Sequence, residues 1–191
     1  MLWANKHELN GATRMVDYEK IFSTYCDEND IAVSLCCVMP EGYETANGMF
    51  DPVCNKLFIN KGSLKALPEY EQLFYLYHEL RHASQYLRPE KYDDMICKSR
   101  FYAIMYDGAC FKLVGEEWKE CRPEGSGEFF SEMYLGQPYE IDANKYAYEK
   151  VKAIEGNSAE LEELYAFWTP KREIPNSAYT DLYSKIDELL C

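Results

Sequence analysis

The chain contains, at residues 67–87, the segment LPEYEQLFYLYHELRHASQYL. Apolar residues recur within it at spacings of three and four, a pattern typical of a helix with one buried face. Pro68 suits the first turn of such a helix, and Pro89 ends it. The apolar stripe consists of Leu73, Leu76, Leu80, Ala83 and Leu87. We therefore predict a long helix from about residue 67 to residue 87 that packs on a hydrophobic core.

Two of the chain's three histidines lie in this segment and form an H-E-x-x-H motif with Glu79. His78 and His82 are four residues apart and share one helix face, so both imidazoles can bind one Zn²⁺ at about 2.0–2.1 Å. Glu79 lies about 100° further around the helix, next to the place that a metal-bound water would take. We interpret His78 and His82 as zinc ligands and Glu79 as the candidate general base.

A catalytic zinc usually has three protein ligands and a water, so the two histidines need a further partner. The best candidates lie in PYEIDANKYA, residues 138–147, while the cysteines are rivals without a supporting motif. If a helix has begun by Glu140, this residue lies on the same face as the apolar residues that follow, and Asp142 points about 160° away. A later helix start would instead favour Asp142. Helix phase thus favours Glu140 as the third ligand.

The two motifs together carry a family resemblance. H-E-x-x-H followed downstream by a helical E-x-x-A-[ND] resembles the glutamate zincins, or gluzincins. The run GMFDPVCNKLFIN…YLYHELRHASQY also resembles the minimal ImmA/IrrE-like metallopeptidase domains, in which a helix, a small sheet and a hairpin precede the H-E-x-x-H helix. The resemblance covers roughly residues 15–90 and 137–155.

This resemblance implies a set of roles for particular residues. His78, His82 and Glu140 would bind Zn²⁺, Glu79 would act as general base, and the substrate would be a protein or peptide. Many gluzincins have Asp where this chain has Asn144, a position that orients a ligand histidine. Asn can accept a hydrogen bond there but brings no charge.

The remaining segments predict an α+β, mainly helical zincin-like fold, with a small β-sheet and hairpin before the H-E-x-x-H helix. Asp107-Gly108 indicates a second hairpin, although residues 91–135 also permit a helical interpretation. We expect one domain over residues 1–191, with a core at about 15–156 and a C-terminal helical appendage at 157–191. The expected helices are Met15–Cys26, 138–154, Ser158–Trp168 and Ser177–Leu190, and the expected strands are Ile31–Met39, Met49–Phe50, Lys56–Ile59, Phe101–Met105 and Ala109–Val114.

Composition limits the possible partners. The 33 acidic and 20 basic residues give a net charge of −13, which repels phosphate backbones, so we expect no direct nucleic-acid binding. No apolar stretch approaches the ~18 residues of a membrane span, and the first ten residues lack an apolar signal-peptide core. The eight cysteines form no C-x-x-C pair, and Cys36 and Cys37 lie in an apolar run, as reduced buried cysteines do. We therefore expect a cytoplasmic protein without a membrane anchor.

Two functional hypotheses follow. The first is a zinc-dependent metallopeptidase that hydrolyses a peptide bond in a protein substrate, with a zinc-bound water activated by Glu79. The alternative is a non-catalytic, zinc-stabilised acidic binding or inhibitor module of phage or mobile-element type, whose surface docks on a basic partner. Tyr134, Tyr139 and Arg81 lie near the motifs in sequence, but the sequence assigns none of them to transition-state stabilisation.

Overall fold

A computed structural model describes residues 16–190. Its helices are α1 Tyr18–Asn29, α2 Lys61–Leu64, α3 Glu69–Leu87, α4 Asp94–Ser99, α5 Gly127–Leu135, α6 Pro138–Glu155, α7 Ala159–Phe167 and α8 Asn176–Leu190. Its strands are β1 Ser34–Cys36, β2 Gly48–Asp51, β3 Lys56–Ile59, β4 Tyr102–Ile104, β5 Cys110–Val114 and β6 Glu117–Cys121. The predicted α+β, mainly helical class is confirmed, including a hairpin before the H-E-x-x-H helix.

The first sheet has the order β1-β3-β2, with β1 parallel and β2 antiparallel to β3. The β2–β3 hairpin turns through Asn55, which adopts a left-handed φ of 52°. Asp51 supports the turn because its Oδ1 accepts from the backbone N–H of Val53 at 2.8 Å. The strand predicted at Ile31–Met39 is shorter, since β1 pairs with β3 only over residues 34–36. β2 is left at the edge of this sheet, where it packs against α3.

The H-E-x-x-H helix lies at the centre of the larger hydrophobic cluster. Leu76, Leu80 and Ala83 have no solvent exposure, which confirms the predicted apolar stripe, although Leu87 is only partly buried. The helix begins at Glu69, one residue later than a first-turn Pro68 would place it, because Pro68 occupies the N-cap. α6 packs along α3, and the small or β-branched residues Ala143, Ala147 and Val151 lie fully buried between them. This close packing brings the first turn of α6 next to the histidines.

The helix predicted at Met15–Cys26 is displaced towards the C-terminus. Its observed range is Tyr18–Asn29, and Met15 lies outside the described residues. The side chain of Asp17 caps the helix by accepting from the backbone N–H of Lys20 at 3.0 Å. Asp30, which adopts a left-handed φ of 53°, ends it.

Residues 91–135 contain a second sheet, which lies between helices α4 and α5 along the chain. The hairpin predicted around Asp107-Gly108 is confirmed, and β6 extends it to the antiparallel order β4-β5-β6. Helices α5 and α8 cover this sheet and share a second hydrophobic cluster with it. The buried members of that cluster are Tyr102, Ile104, Cys110, Phe130, Met133, Tyr179, Leu182, Tyr183 and Ile186.

The two C-terminal helices pack into these clusters. Leu161 of α7 is buried in the larger cluster, and Tyr183 of α8 is buried in the second. None of the helices in residues 16–190 has both the length and the apolar character that a membrane span requires. The seven cysteines of the described part of the chain are free thiols, and Cys36 and Cys37 are partly exposed rather than buried as expected. These two residues lie at the end of β1, where the pairing with β3 stops.

Candidate metal centre

Three side chains from two helices converge on one point. His78 and His82 project from the same face of α3, and their Nε2 atoms lie 3.0 Å apart. Oε2 of Glu140, from the first turn of α6, lies 3.3 Å from Nε2 of His78 and 3.4 Å from Nε2 of His82. Such a group can hold a metal ion. The structure therefore brings together the three residues that the sequence predicted as ligands.

The spacing of these donors agrees with tetrahedral coordination. Bonds of about 2.0–2.1 Å at a tetrahedral angle place neighbouring ligand atoms roughly 3.3–3.4 Å apart. The observed separations of 3.0, 3.3 and 3.4 Å lie close to that value. All three groups are largely withdrawn from solvent, with side-chain exposures of 15% for His78, 8% for His82 and 17% for Glu140.

The start of α6 decides which carboxylate faces the histidines. The helix begins at Pro138, so Glu140 lies in its first turn and shares the inward face with Ala143 and Ala147. Asp142 points elsewhere and binds Arg81, whose Nε and Nη2 donate to its two oxygens at 2.7 and 3.0 Å. The sequence favoured Glu140 on the condition that the helix has begun by this residue, and the observed start at Pro138 meets that condition.

Glu79 is a fourth polar group at the same place. It is only 8% exposed and lines the same cleft as His78 and Glu140. Burial raises the pKa of its carboxyl group, an effect that nearby Glu140 reinforces and the two histidines oppose. Gly48, the first residue of β2, packs directly against it: a Cβ atom on Gly48 would lie 2.6 Å from Cγ of Glu79. The side chain of Glu79 is therefore held between α3 and β2.

The charges of His82 and Glu140 depend on each other. Burial opposes the charged form of His82, but the adjacent Glu140 carboxylate raises the pKa of this imidazole to about 9. Burial also opposes ionisation of Glu140, yet His82 and His78 together lower the pKa of its carboxyl group well below the ordinary range. A metal ion bound at this point would replace the proton that His82 holds next to Glu140, since imidazole binds metals in its neutral form.

The outer nitrogen atoms of the two imidazoles have different surroundings. Nδ1 of His82 lies 2.8 Å from Oε1 of Gln85, which is fully buried one turn further along α3. Nδ1 of His78 is buried and has no hydrogen-bond partner among residues 16–190. Asn144, expected to orient a histidine, instead donates its side-chain amide to the carbonyl oxygen of Trp168 at 3.1 Å. The C-terminal end of α7 draws the Asn144 amide away from the imidazoles.

A cleft of about 280 Å³ opens beside the three donors. Its walls include Phe74, Tyr75, Trp168 and the start of β2. Tyr134, from the end of α5, also lines it. A larger groove of about 500 Å³ lies between α1, α3 and α6, but none of the three donor residues lines it. The smaller cleft is therefore the one through which a ligand would reach the candidate metal centre.

The structure separates the roles of the three residues that the sequence left unassigned. Arg81 is held by Asp142 and lies 4.6 Å from the centroids of two tyrosine rings, so it is a structural residue. The ring of Tyr139 packs 4.8 Å from that of His82 and supports its orientation. Tyr134 alone of the three lines the cleft, and burial together with Glu140 and Glu79 raises the pKa of its hydroxyl group, which stays protonated as a donor.

Sequence reasoning missed Gln85 and named Tyr134 without assigning it a role. The side chain of Gln85 contacts both His82 and Tyr139 of α6. The only sequence feature that could have indicated this role is its position three residues after His82 on the same helix. Tyr134 reaches the cleft because the segment between the two motifs folds back onto it, which no local pattern indicates.

Comparison with protein-family models, with curated protein sequences and with solved structures gave no significant match. The interpretation of this centre therefore depends on its own residues and their geometry.

Proposed function

We propose that the protein is a zinc-dependent peptidase of the gluzincin type. The observation that carries the proposal is the convergence of three donor atoms at 3.0–3.4 Å beside a cleft, with a further buried carboxyl group next to them. A site that only stabilises the fold usually surrounds its zinc with four protein ligands, whereas a catalytic site leaves one position open. The described residues supply three donors, which supports the catalytic alternative.

The donor set supports zinc as the proposed metal. Two imidazole nitrogens and one carboxylate oxygen form a mixed N/O site, which suits Zn²⁺. Mg²⁺ and Ca²⁺ instead prefer sites built from oxygen ligands. The tetrahedral spacing of the donors agrees with that choice. When bound, zinc polarises a peptide carbonyl group and lowers the pKa of a coordinated water.

The protein's own residues would supply the proton transfers. Glu79 would take a proton from the attacking water and pass it to the leaving amine. Burial raises the pKa of its carboxyl group, which suits a group that must accept a proton and then release it. Tyr134 offers a protonated hydroxyl group in the same cleft and is the best-placed donor for the negative charge that develops on the carbonyl oxygen.

The sheet next to the cleft provides a binding edge for an extended peptide. β2 pairs with β3 on one side, and in residues 16–190 no strand pairs with its other edge. Its first residue, Gly48, lines the cleft and touches Glu79. A peptide could bind to this edge as an additional strand, through main-chain hydrogen bonds with β2. Its backbone would then lie next to the metal centre. This arrangement supports a peptide or unfolded protein segment as substrate.

Metal analysis of purified protein tests the proposal. We expect about one zinc per chain in the wild type and a large loss in His78→Ala, which removes one of the three donors. Ser63→Ala, at an exposed position in α2, serves as a control that should leave zinc content unchanged. Wild-type protein that contains no metal, and takes up none when zinc is added, would contradict the proposal.

A binding role without catalysis is the alternative that the net charge of −13 supports. The two functions differ in their dependence on Glu79. A biological effect that survives Glu79→Gln would indicate binding, whereas an effect that disappears while zinc is retained would indicate hydrolysis.

A further inference from the structure

We infer that Gln85 is a positioning residue that holds His82 with its proton on Nδ1 and directs Nε2 towards the metal centre. The inference depends on the proposed zinc site for its functional meaning, while the hydrogen-bond arrangement itself can be tested without metal. It concerns a residue outside both sequence motifs, on the same helix as the two histidines.

The orientation of the Gln85 amide is fixed by its neighbours. Its Nε2 donates to the backbone carbonyl oxygen of Tyr139 at 2.8 Å and to Oδ2 of Asp142 at 2.8 Å. Both partners are acceptors, so a flipped amide would place Oε1 against two oxygen atoms and lose both hydrogen bonds. Oε1 must therefore face His82, where it can only accept a hydrogen bond.

This orientation determines the proton on the imidazole. Nδ1 of His82 lies 2.8 Å from Oε1 of Gln85 and must donate to it. In the neutral ring a proton on Nδ1 leaves the lone pair on Nε2, the atom that faces His78 and Glu140. In the charged ring Nδ1 carries a proton as well. Gln85 thus stabilises the same Nδ1–H group whether or not His82 is charged.

Asp142 is kept in place as an acceptor by Arg81. The guanidinium group binds both carboxylate oxygens, and the rings of Tyr92 and Tyr146 lie 4.6 Å from it. The two-point bond with Arg81 fixes the orientation of the Asp142 carboxylate, so that its Oδ2 faces Nε2 of Gln85 as an acceptor. The chain of contacts from Arg81 through Asp142 and Gln85 to His82 therefore links α3 to the first turn of α6, the two elements that carry the ligands.

Burial makes this arrangement persistent. Gln85 has no solvent exposure and His82 has 6%, so water cannot readily replace either partner. His78 differs, because its Nδ1 has no partner in the described part of the chain. We therefore expect His82 to be oriented before metal binds, and Gln85 to contribute to metal affinity through His82 alone.

Nuclear magnetic resonance of ¹⁵N-labelled histidines tests the hydrogen bond directly. In metal-free wild-type protein, Nδ1 of His82 should carry a slowly exchanging proton at every pH at which the protein is folded. In Gln85→Leu, which keeps a side chain of similar bulk but removes the acceptor, this proton should exchange rapidly. A wild-type His82 with an unprotonated Nδ1 would overturn the inference, whatever the protein's affinity for metals.

Zinc titration against a competing chelator tests the consequence for the metal centre. Gln85→Leu should bind zinc about 10–100-fold more weakly, the usual loss when a group behind a ligand histidine is removed. Gln85→Glu keeps an acceptor for Nδ1–H but brings a carboxylate next to Asp142, so zinc affinity should recover while thermal stability falls. Ser84→Ala, at the adjacent and equally buried position, is the control and should bind zinc as the wild type does.

The outcomes separate this inference from the proposed function. Equal zinc affinity in Gln85→Leu and wild type would overturn the inference but leave the zinc site standing. A loss of affinity in Gln85→Glu that parallels its loss of stability would show that Gln85 acts only on the fold, and would also overturn it. A wild-type protein that binds no zinc would contradict the proposed function, while the resonance of His82 would still decide the hydrogen bond.

Discussion

At the scale of single residues, two neighbouring carboxyl groups experience opposite environments. Burial raises the pKa of Glu79, whereas the adjacent imidazoles lower the pKa of Glu140 well below its ordinary range. Groups whose environments separate their pKa values in this way are suited to different tasks. Glu140 suits a permanently charged ligand, and Glu79 suits a group that exchanges a proton.

Substitution of Glu79 tests this division. We expect Glu79→Gln to keep zinc, because Glu79 is not among the three donors, and to lose hydrolysis by at least ~10²-fold, the usual scale of general-base catalysis. Zinc content and cleavage rate should be measured on the same preparation. Loss of one zinc per chain in this variant would show that the ligand set is different from the one proposed.

The choice between Glu140 and Asp142 gives a second prediction. Glu140→Ala removes a donor and should weaken zinc binding strongly, while Asp142→Ala should weaken it much less, because Asp142 acts on the site only through Gln85. Asp142→Ala should nevertheless lower thermal stability, since it leaves the largely buried Arg81 without its partner. Chelator competition with both variants decides the matter, and weakened zinc affinity in Asp142→Ala alone would contradict the assignment.

The raised pKa of His82 predicts how zinc affinity depends on pH. Glu140 raises that pKa to about 9 in the metal-free protein, so below pH 9 a proton must leave His82 before it can bind zinc. Affinity should therefore increase by about tenfold per pH unit as the pH rises towards 9, and level off above it. The same proton stabilises the metal-free fold at low pH, and this contribution is lost as the pH rises through 9. Zinc titrations between pH 6 and 10 would show the trend, and an affinity that is constant over this range would contradict it.

At the scale of secondary-structure elements, the contact between β2 and α3 positions the candidate base. A Cβ atom on Gly48 would approach Cγ of Glu79 to 2.6 Å, so Gly48→Ala should push Glu79 out of place. We expect hydrolysis to fall on the order of 10²-fold, as it does for a misplacement of about 1 Å, while zinc remains bound. Gly62→Ala is the matched control, because a Cβ atom there meets nothing closer than 3.6 Å. Normal cleavage by Gly48→Ala would indicate that β2 does not position Glu79.

The same elements show what the sequence could and could not predict. The stripe of α3 and the two hairpins were predictable, because helical periodicity and turn residues are local signals. β6 was missed, since Glu117–Cys121 is exposed along most of its length and has no alternating apolar pattern. Helix α5 was not among the predicted helices, although Ser126 caps it by accepting from the backbone N–H of Phe129 at 3.1 Å.

The candidate site likewise contains residues that local patterns predict and residues that depend on contacts between distant segments. His78, His82 and Glu140 could be predicted because spacing and phase along a helix fix which side chains face together. Gln85 could not be predicted, because its role depends on the packing of α3 against α6. Asn144 was expected to orient a histidine, whereas its amide donates to the carbonyl oxygen of Trp168. Contacts between distant segments leave no periodic pattern in the sequence.

At the scale of the whole molecule, a metal bound to His78, His82 and Glu140 would connect two helices that enclose the larger hydrophobic cluster. Zinc should therefore stabilise the entire fold by about 2.7 kcal/mol at a free concentration of 100 times the dissociation constant. Thermal unfolding with and without a chelator measures the effect. Glu79→Gln should keep the stabilisation and His78→Ala should lose it, whereas equal zinc-dependent stabilisation in His78→Ala would contradict a site built on these helices.

The measurement that most directly tests the central claim is mass spectrometry of a diverse peptide pool after incubation with the protein. Zinc-loaded wild type should generate new peptide termini, the metal-free protein should generate none, and restored zinc should restore cleavage. A wild-type protein that holds one zinc per chain and still produces no new termini would contradict the proposal that this centre hydrolyses peptide bonds.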